Sequence, residues 1–179
     1  TLDIQGNGVL DFNAQALSTA AGTGFIKSGT GVLGTGTGTF TGGFTLNAGT
    51  VIARGTTGMG SGGTNTLTLN GGAVASNADR AFANTRFPGG IVIGGNVQFG
   101  ELASVVSIAS STANLSFAND VSLGSAVRFL AIGNNGTNTF SGVISGTGSA
   151  GITVAANPGA SGSIILTGQN TYSGMTAVS

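Results

Sequence analysis

The sequence has no cysteine, no histidine and no tryptophan, only two prolines, and only five basic and five acidic side chains in 179 residues. Without His and Cys the common ligand sets for zinc, haem and iron–sulfur clusters are missing, as are imidazole-based triads and thiol nucleophiles. The charges cancel to a formal net charge of zero, so there is no electrostatic footprint for DNA, RNA or an anionic membrane. No apolar run approaches the roughly eighteen residues that span a bilayer as a helix. The chain opens at Thr1 without Met or a basic, apolar leader, which reads as a mature fragment of something larger. Lack of cysteine suits oxidising and reducing compartments alike.

What is present is glycine, 35 residues of it, with 40% hydrophobic residues and ten Phe. Mean hydropathy is +0.37. Disordered chains combine low hydrophobicity with high net charge, the reverse of this composition. The length suits one domain, 1–179, with enough apolar material for a core.

Short apolar runs alternate with small polar residues at period two, as in Thr66–Leu69, Val97–Phe99, Leu115–Phe117 and Val121–Leu123. Each is bounded by Gly or Asn, which are strand and turn signals. No stretch holds a helical apolar period for three turns. Residues 102–118, with Val105, Val106 and Ile108, come nearest, and their Ser and β-branched content favours strand. The reading is all-β, with roughly twenty strands.

Repeats choose among all-β architectures. An aromatic–hydroxyl–Gly phrase occurs as Phe40-Thr41-Gly42, Phe140-Ser141-Gly142 and Tyr172-Ser173-Gly174, the first copy opening at Thr39. Gly-Thr-Gly occurs at 22–24, 29–31 and 146–148, and Leu46-Asn47-Ala48-Gly49-Thr50-Val51 is echoed by Leu69-Asn70-Gly71-Gly72-Ala73-Val74. Imperfect units with insertions confined to Gly/Asn turns fit a solenoid better than a closed barrel. The sequence therefore predicts a parallel β-helix of about seven three-strand coils, roughly 25 residues each, apolar ranks inside and Thr, Ser, Asn and Gly outside.

Ile164-Ile165-Leu166-Thr167-Gly168-Gln169-Asn170-Thr171-Tyr172-Ser173-Gly174-Met175-Thr176 resembles the passenger-associated transport repeat of autotransporter-type secreted proteins. Segments 138–148, 94–100 and 120–129 resemble stretches of the same passengers, so the resemblance covers most of the chain. Met175 stands where the family usually has Gly, and Phe40 where it usually has Tyr. The resemblance implies a right-handed β-helix exported to or beyond the bacterial cell surface; with the missing His and Cys, the chain reads as a structural or adhesive rod with no catalytic residues, cofactor or metal.

Placing Thr176–Ser179 before Thr1–Ile4, with a couple of residues between, nearly regenerates Thr45–Ile52. That suggests coil-on-coil stacking of the ends, in a longer solenoid or head-to-tail between copies, which would build filaments.

Particular residues bear on other functions. G-x-G-x-x-G occurs at Gly29/Gly31/Gly34, Gly58/Gly60/Gly63 and Gly146/Gly148/Gly151, but none is expected to open a helix, as phosphate binding requires. The carboxylates are Asp3, Asp11, Asp79, Glu101 and Asp120. A polysaccharide-cleaving site needs two or more converging. Asp3 and Asp11 could share a coil surface, and Asp79 with Arg80 and Arg86 is the densest charge cluster. Lys27 and Arg54 read as isolated charges, and Arg128, between Val127 and Phe129, as pointing outward. Alternating Thr35, Thr37, Thr39 and Thr41, with Thr64, Thr66 and Thr68, raise an ice-binding face as a minor alternative. Tyr172 is the lone Tyr, so the Phe residues are assigned to core stacks rather than to a saccharide platform. Met59 and Met175 are too few to signal metal or redox work.

Overall fold

Period-two segments bounded by glycine turns do wind into coils. The computed structural model describes residues 1–13, 15–20, 22–38, 40–102 and 108–179, and among them there is no helix. Parallel sheets stack as a β-solenoid of about 7 turns, a pile on the order of 35 Å high at ~4.8 Å per coil.

The first sheet orders Leu2–Asp3, Phe25–Ser28, Phe44–Leu46, Leu67–Leu69, Ile91–Ile93, Val121–Ser122 and Ile144–Ser145. The second orders Val9–Asp11, Val32–Thr35, Thr50–Ala53, Ala73–Ser76, Val97–Phe99, Val127–Ile132, Gly151–Ala156 and Thr176–Val178. The third side is less regular. Arg80–Phe82, Leu115–Phe117, Thr137–Phe140 and Ser163–Leu166 form one sheet, and Ala16–Leu17 pairs separately with Thr37–Gly38. Between these two, residues 54–66 carry no assigned strand, and buried Met59 lies in that gap. The expectation of three strands in every coil therefore fails at the third coil, where 55–63 holds five glycines and turns instead.

Each described pairing is parallel, and register aligns like with like. Phe25, Phe44, Leu67, Ile91, Val121 and Ile144 form one rank of the first sheet. Leu33, Val51, Val74 and Phe99 form one rank of the second. On the third side Phe82, Phe117 and Phe140 stack with centroids 5.1 Å apart and planes 13° and 14° from parallel. Such pairs add to the apolar burial that holds coil on coil. The Phe assignment holds for most of the set: seven of the ten are fully buried, whereas Phe129 is exposed.

Coil length varies. Equivalent positions of neighbouring coils are bonded across 19 residues at Asn47–Ser28, 23 at Asn70–Asn47 and 35 at Asn114–Asp79. The long coil carries an insertion between Phe99 and Leu115. Residues 103–107, with Val105 and Val106 of the strand expected there, lie outside the described residues, as does Thr39. Ile108 and Ala109 pack on Val32, Ile52 and Ala75, a small apolar cluster separate from the main core. Strands Val32–Thr35, Thr50–Ala53 and Ala73–Ser76 are in consequence buried at every position. The second sheet thus departs from the expected polar exterior, because part of its own chain covers it.

Arg128 departs as well. Its register partner Ile152 is fully buried, while Val127 and Phe129 are exposed, so the alternation is the reverse of that expected. Arg128 Nε donates to the carbonyl of Leu123 at 2.9 Å, which satisfies a turn oxygen.

Register also separates the repeated phrases. Leu46 aligns with Leu69 and Thr50 with Ala73, so that repeat is one structural unit. Phe40 and Phe140 both precede first-sheet strands, whereas Tyr172 precedes Thr176–Val178 of the second sheet. Leu2–Asp3 belongs to the first sheet. Joining Ser179 to Thr1 through a couple of residues would leave that coil's third side without a strand.

Candidate functional site

The five carboxylates do not converge. Asp3 lies in a first-sheet strand and accepts from Gln5 Nε2 at 2.7 Å, while Asp11 lies in a second-sheet strand. Asp120 takes the Val143 amide at 2.8 Å, and Glu101 the Ile108 amide at 3.1 Å. Asp79 accepts from the Asn114 amide at 2.8 Å and from its side chain at 3.1 Å. Asp3, Asp79, Glu101 and Asp120 each tie their own turn or a neighbouring coil.

Asp11 and Arg54 form the one ion pair among the described residues, a two-point contact of 2.7 and 2.5 Å. It reaches from the first coil to the third, 43 residues along the chain. Gly34 lies on the intervening strand, where an added Cβ would collide with the Asp11 carboxylate. Arg54 is therefore not isolated. Arg80 turns from Asp79's carboxylate to the Arg54 carbonyl at 2.5 Å and Asn77 Oδ1 at 2.8 Å. A polar seam results, continued by the Asn114 side chain to Thr137 and by Thr137 to Ser163.

Burial raises the Asp11 carboxyl, but the hydrogen bond from Arg54, the Asn13 amide and the Arg54 charge outweigh it, leaving it below its usual 3.8. The Asn114 amide and side chain hold Asp79 below 3.8 as well. A carboxyl depressed on folding stabilises the fold above its unfolded value and loses that stabilisation as pH falls through the folded value. The urea midpoint is therefore expected to decline as pH drops below about 3.8. In Asp11→Asn that decline should be smaller, which urea titrations between about pH 5 and pH 2 would measure.

Lys27 is fully buried. It occupies the same inward rank as Leu46, Leu69 and Ile93. Its Nζ donates to the carbonyls of Ser28, Gly29 and Ala48 at 2.6, 2.7 and 3.2 Å. Burial lowers its pKa from 10.5, opposed by the charge of Asp3. The parity was visible in Phe25-Ile26-Lys27, because Lys27 shares the inward phase of Phe25.

Buried asparagines hold the loops. Asn65 and Asn119 clamp the loop after Phe82 from opposite sides, Asn65 donating to Arg86 O at 3.0 Å and Asn119 to Asn84 O at 2.6 Å and Phe87 O at 2.8 Å. The loop borders a cleft of about 470 Å³ that includes Pro88 and Asp120. A second cleft, about 380 Å³, lies beside Phe129 and Leu102, and a third, about 270 Å³, beside Glu101 and Asn135. None of these three brings two carboxylates together. Among the described residues no group of three metal-ligating side chains converges. No helix there is long and apolar enough to cross a membrane.

The remaining sequence candidates are dispersed. Thr35 is buried in the second sheet and Thr37 is exposed in another, so that array is not one face; Thr39 is outside the described residues. The G-x-G-x-x-G triplets lie in turns and strands, none opening a helix. The transport-repeat-like segment has a visible structural task. Asn170 Oδ1 accepts from the Ile144 amide at 2.9 Å, Ser173 Oγ donates to Gly148 O at 2.6 Å, and the Gly174 amide to Ala150 O at 2.7 Å. Its side chains and backbone sew one coil to the coil below.

No family model, curated protein or solved structure matches this chain.

Proposed function

We propose that the chain is a non-enzymatic structural segment of a secreted or cell-surface bacterial protein, a stiff and adhesive solenoid rod. The observation that carries this reading is the unbroken pairing of the second sheet across eight strands, from Val9–Asp11 to Thr176–Val178. Backbone hydrogen bonds and apolar ranks run coil to coil in one direction, so axial load crosses each coil interface through several bonds at once. The likeness of 164–176 to a transport repeat supports export, and the neutral, cysteine-free composition suits passage of an unfolded chain through a channel.

The test is to fuse the chain to an outer-membrane translocator and add protease to intact cells. The reading expects surface-displayed chain that resists digestion and leaves added polysaccharides uncleaved. Retention inside the cell, rapid digestion or saccharide cleavage would overturn it.

Exposed apolar side chains in the terminal coils favour a second reading. Leu10 is 38% and Val178 83% exposed, and a neighbouring coil would cover them. In the filament reading that coil belongs to another copy, and electron microscopy of the isolated chain would show long fibres. Discrete particles would exclude it.

A further inference from the structure

We propose that the stacked turns at 28–31 and 47–49 form a monovalent-cation site whose resident cation is the chain's own Lys27 ammonium. Three carbonyl oxygens from two successive coils surround Nζ: Ser28 and Gly29 from its own turn, Ala48 from the next. An ammonium has three N–H donors, and here all three are used. The side chain is fully buried, and the Arg54–Asp11 pair is the only salt bridge among the described residues, so backbone dipoles hold the ammonium directly while Asp3 acts on it from beyond salt-bridge distance.

The cage is made by the turns. Gly29 and Gly49 both have φ of +73°, a conformation that swings peptide carbonyls toward the gap between coils. The crowding shows in what a side chain would meet at Gly49, with Gly29 O at 2.5 Å and Lys27 Nζ at 2.8 Å. The next coils place Leu46, Leu69 and Ile93 at the rank of Lys27, so the rank itself demands no charge. Without the ammonium, the three carbonyls that face Nζ would each lose a charge-assisted partner. An all-carbonyl, uncharged oxygen set suits a weakly hydrated monovalent cation. Divalent ions draw on carboxylates, and all three groups that contact Nζ are carbonyls. The ammonium therefore also pins the turn of the second coil to that of the third.

The test compares wild type, Lys27→Ala and Lys27→Met in choline, sodium, potassium and ammonium chloride at equal ionic strength, following the urea midpoint by circular dichroism. Wild type is expected to unfold at one midpoint in all four salts. Lys27→Ala should unfold earlier in choline and regain at least about half of the lost midpoint, saturably, in potassium or ammonium. Lys27→Met, whose side chain fills the space, should be destabilised in every salt with no such recovery. If Lys27→Ala fails to fold in choline, β-structure appearing only with potassium or ammonium supports the site, and failure in all four salts overturns it. A salt response shared by wild type or by Lys27→Met, or Lys27→Ala as stable as wild type in choline, also overturns it.

Discussion

Phe117→Ala is expected to destabilise the chain by about 3–5 kcal/mol, the range for removing a fully buried aromatic ring. Phe117 is 1% exposed and lies between Phe82 below and Phe140 above, each 5.1 Å away. Its ring also meets Phe99 of the second sheet edge-on at 6.2 Å, so truncation opens a void between two walls of the solenoid. Coils contact only their neighbours, and the loss should therefore be local. Hydrogen exchange is expected to rise most at Arg80–Phe82, Leu115–Phe117 and Thr137–Phe140, with strands of the first two coils little changed. Phe117→Leu should cost less than half as much, because the same column accepts Leu166 one rung further on. A loss below about 1 kcal/mol for Phe117→Ala would mean that the aromatic column is not what holds the third side.

The second large effect is expected at Gly49. Its φ of +73° is left-handed, and a Cβ there would stand against backbone oxygens of the preceding turn, 2.5 Å from Gly29 O and nearer still to Gly31 O. Gly31 O is already engaged by the Thr50 amide at 3.1 Å, so the carbonyl cannot swing away without losing a rung. Gly49→Ala is expected to cost about 3 kcal/mol or more, conformational strain and steric displacement together. Gly62 separates the two terms. Its φ is +69°, and an added Cβ meets nothing within 4 Å. Gly62→Ala should cost only the ~1–2 kcal/mol of the left-handed conformation. Equal midpoints for the two variants in urea would contradict the close approach of the turns.

The architecture was legible because a solenoid writes its period into the chain. The Leu46–Val51 and Leu69–Val74 phrases are register partners, and alternation in Val97–Phe99 and Leu115–Phe117 matches their buried–half-buried–buried pattern. Phase within the coil was harder to see. Phe40-Thr41-Gly42 and Tyr172-Ser173-Gly174 look alike, yet one leads into the first sheet and the other into the second, because all three corners use the same small residues. Long-range pairs left no local signal. Asp11 meets Arg54 over a whole intervening coil, visible only once Gly34 is placed between them. Lys27 defied the rule that charge faces water, since its stem follows an inward rank and its head finds turn carbonyls. Apolar Val32 and Ile52 did not betray a second, outer cluster, because adjacent apolar residues read equally well as one face of a core.

Coils that bear load as stacked rungs should open one at a time when a single molecule is pulled by its ends. A coil of about 23 or 24 residues holds roughly 80 Å of extended chain. A staircase of openings is expected as coils peel from an end, most near 80 Å but from roughly 65 Å for the 19-residue coil to roughly 120 Å for the 35-residue one. Smooth extension with no resistance beyond that of an unfolded chain would contradict it.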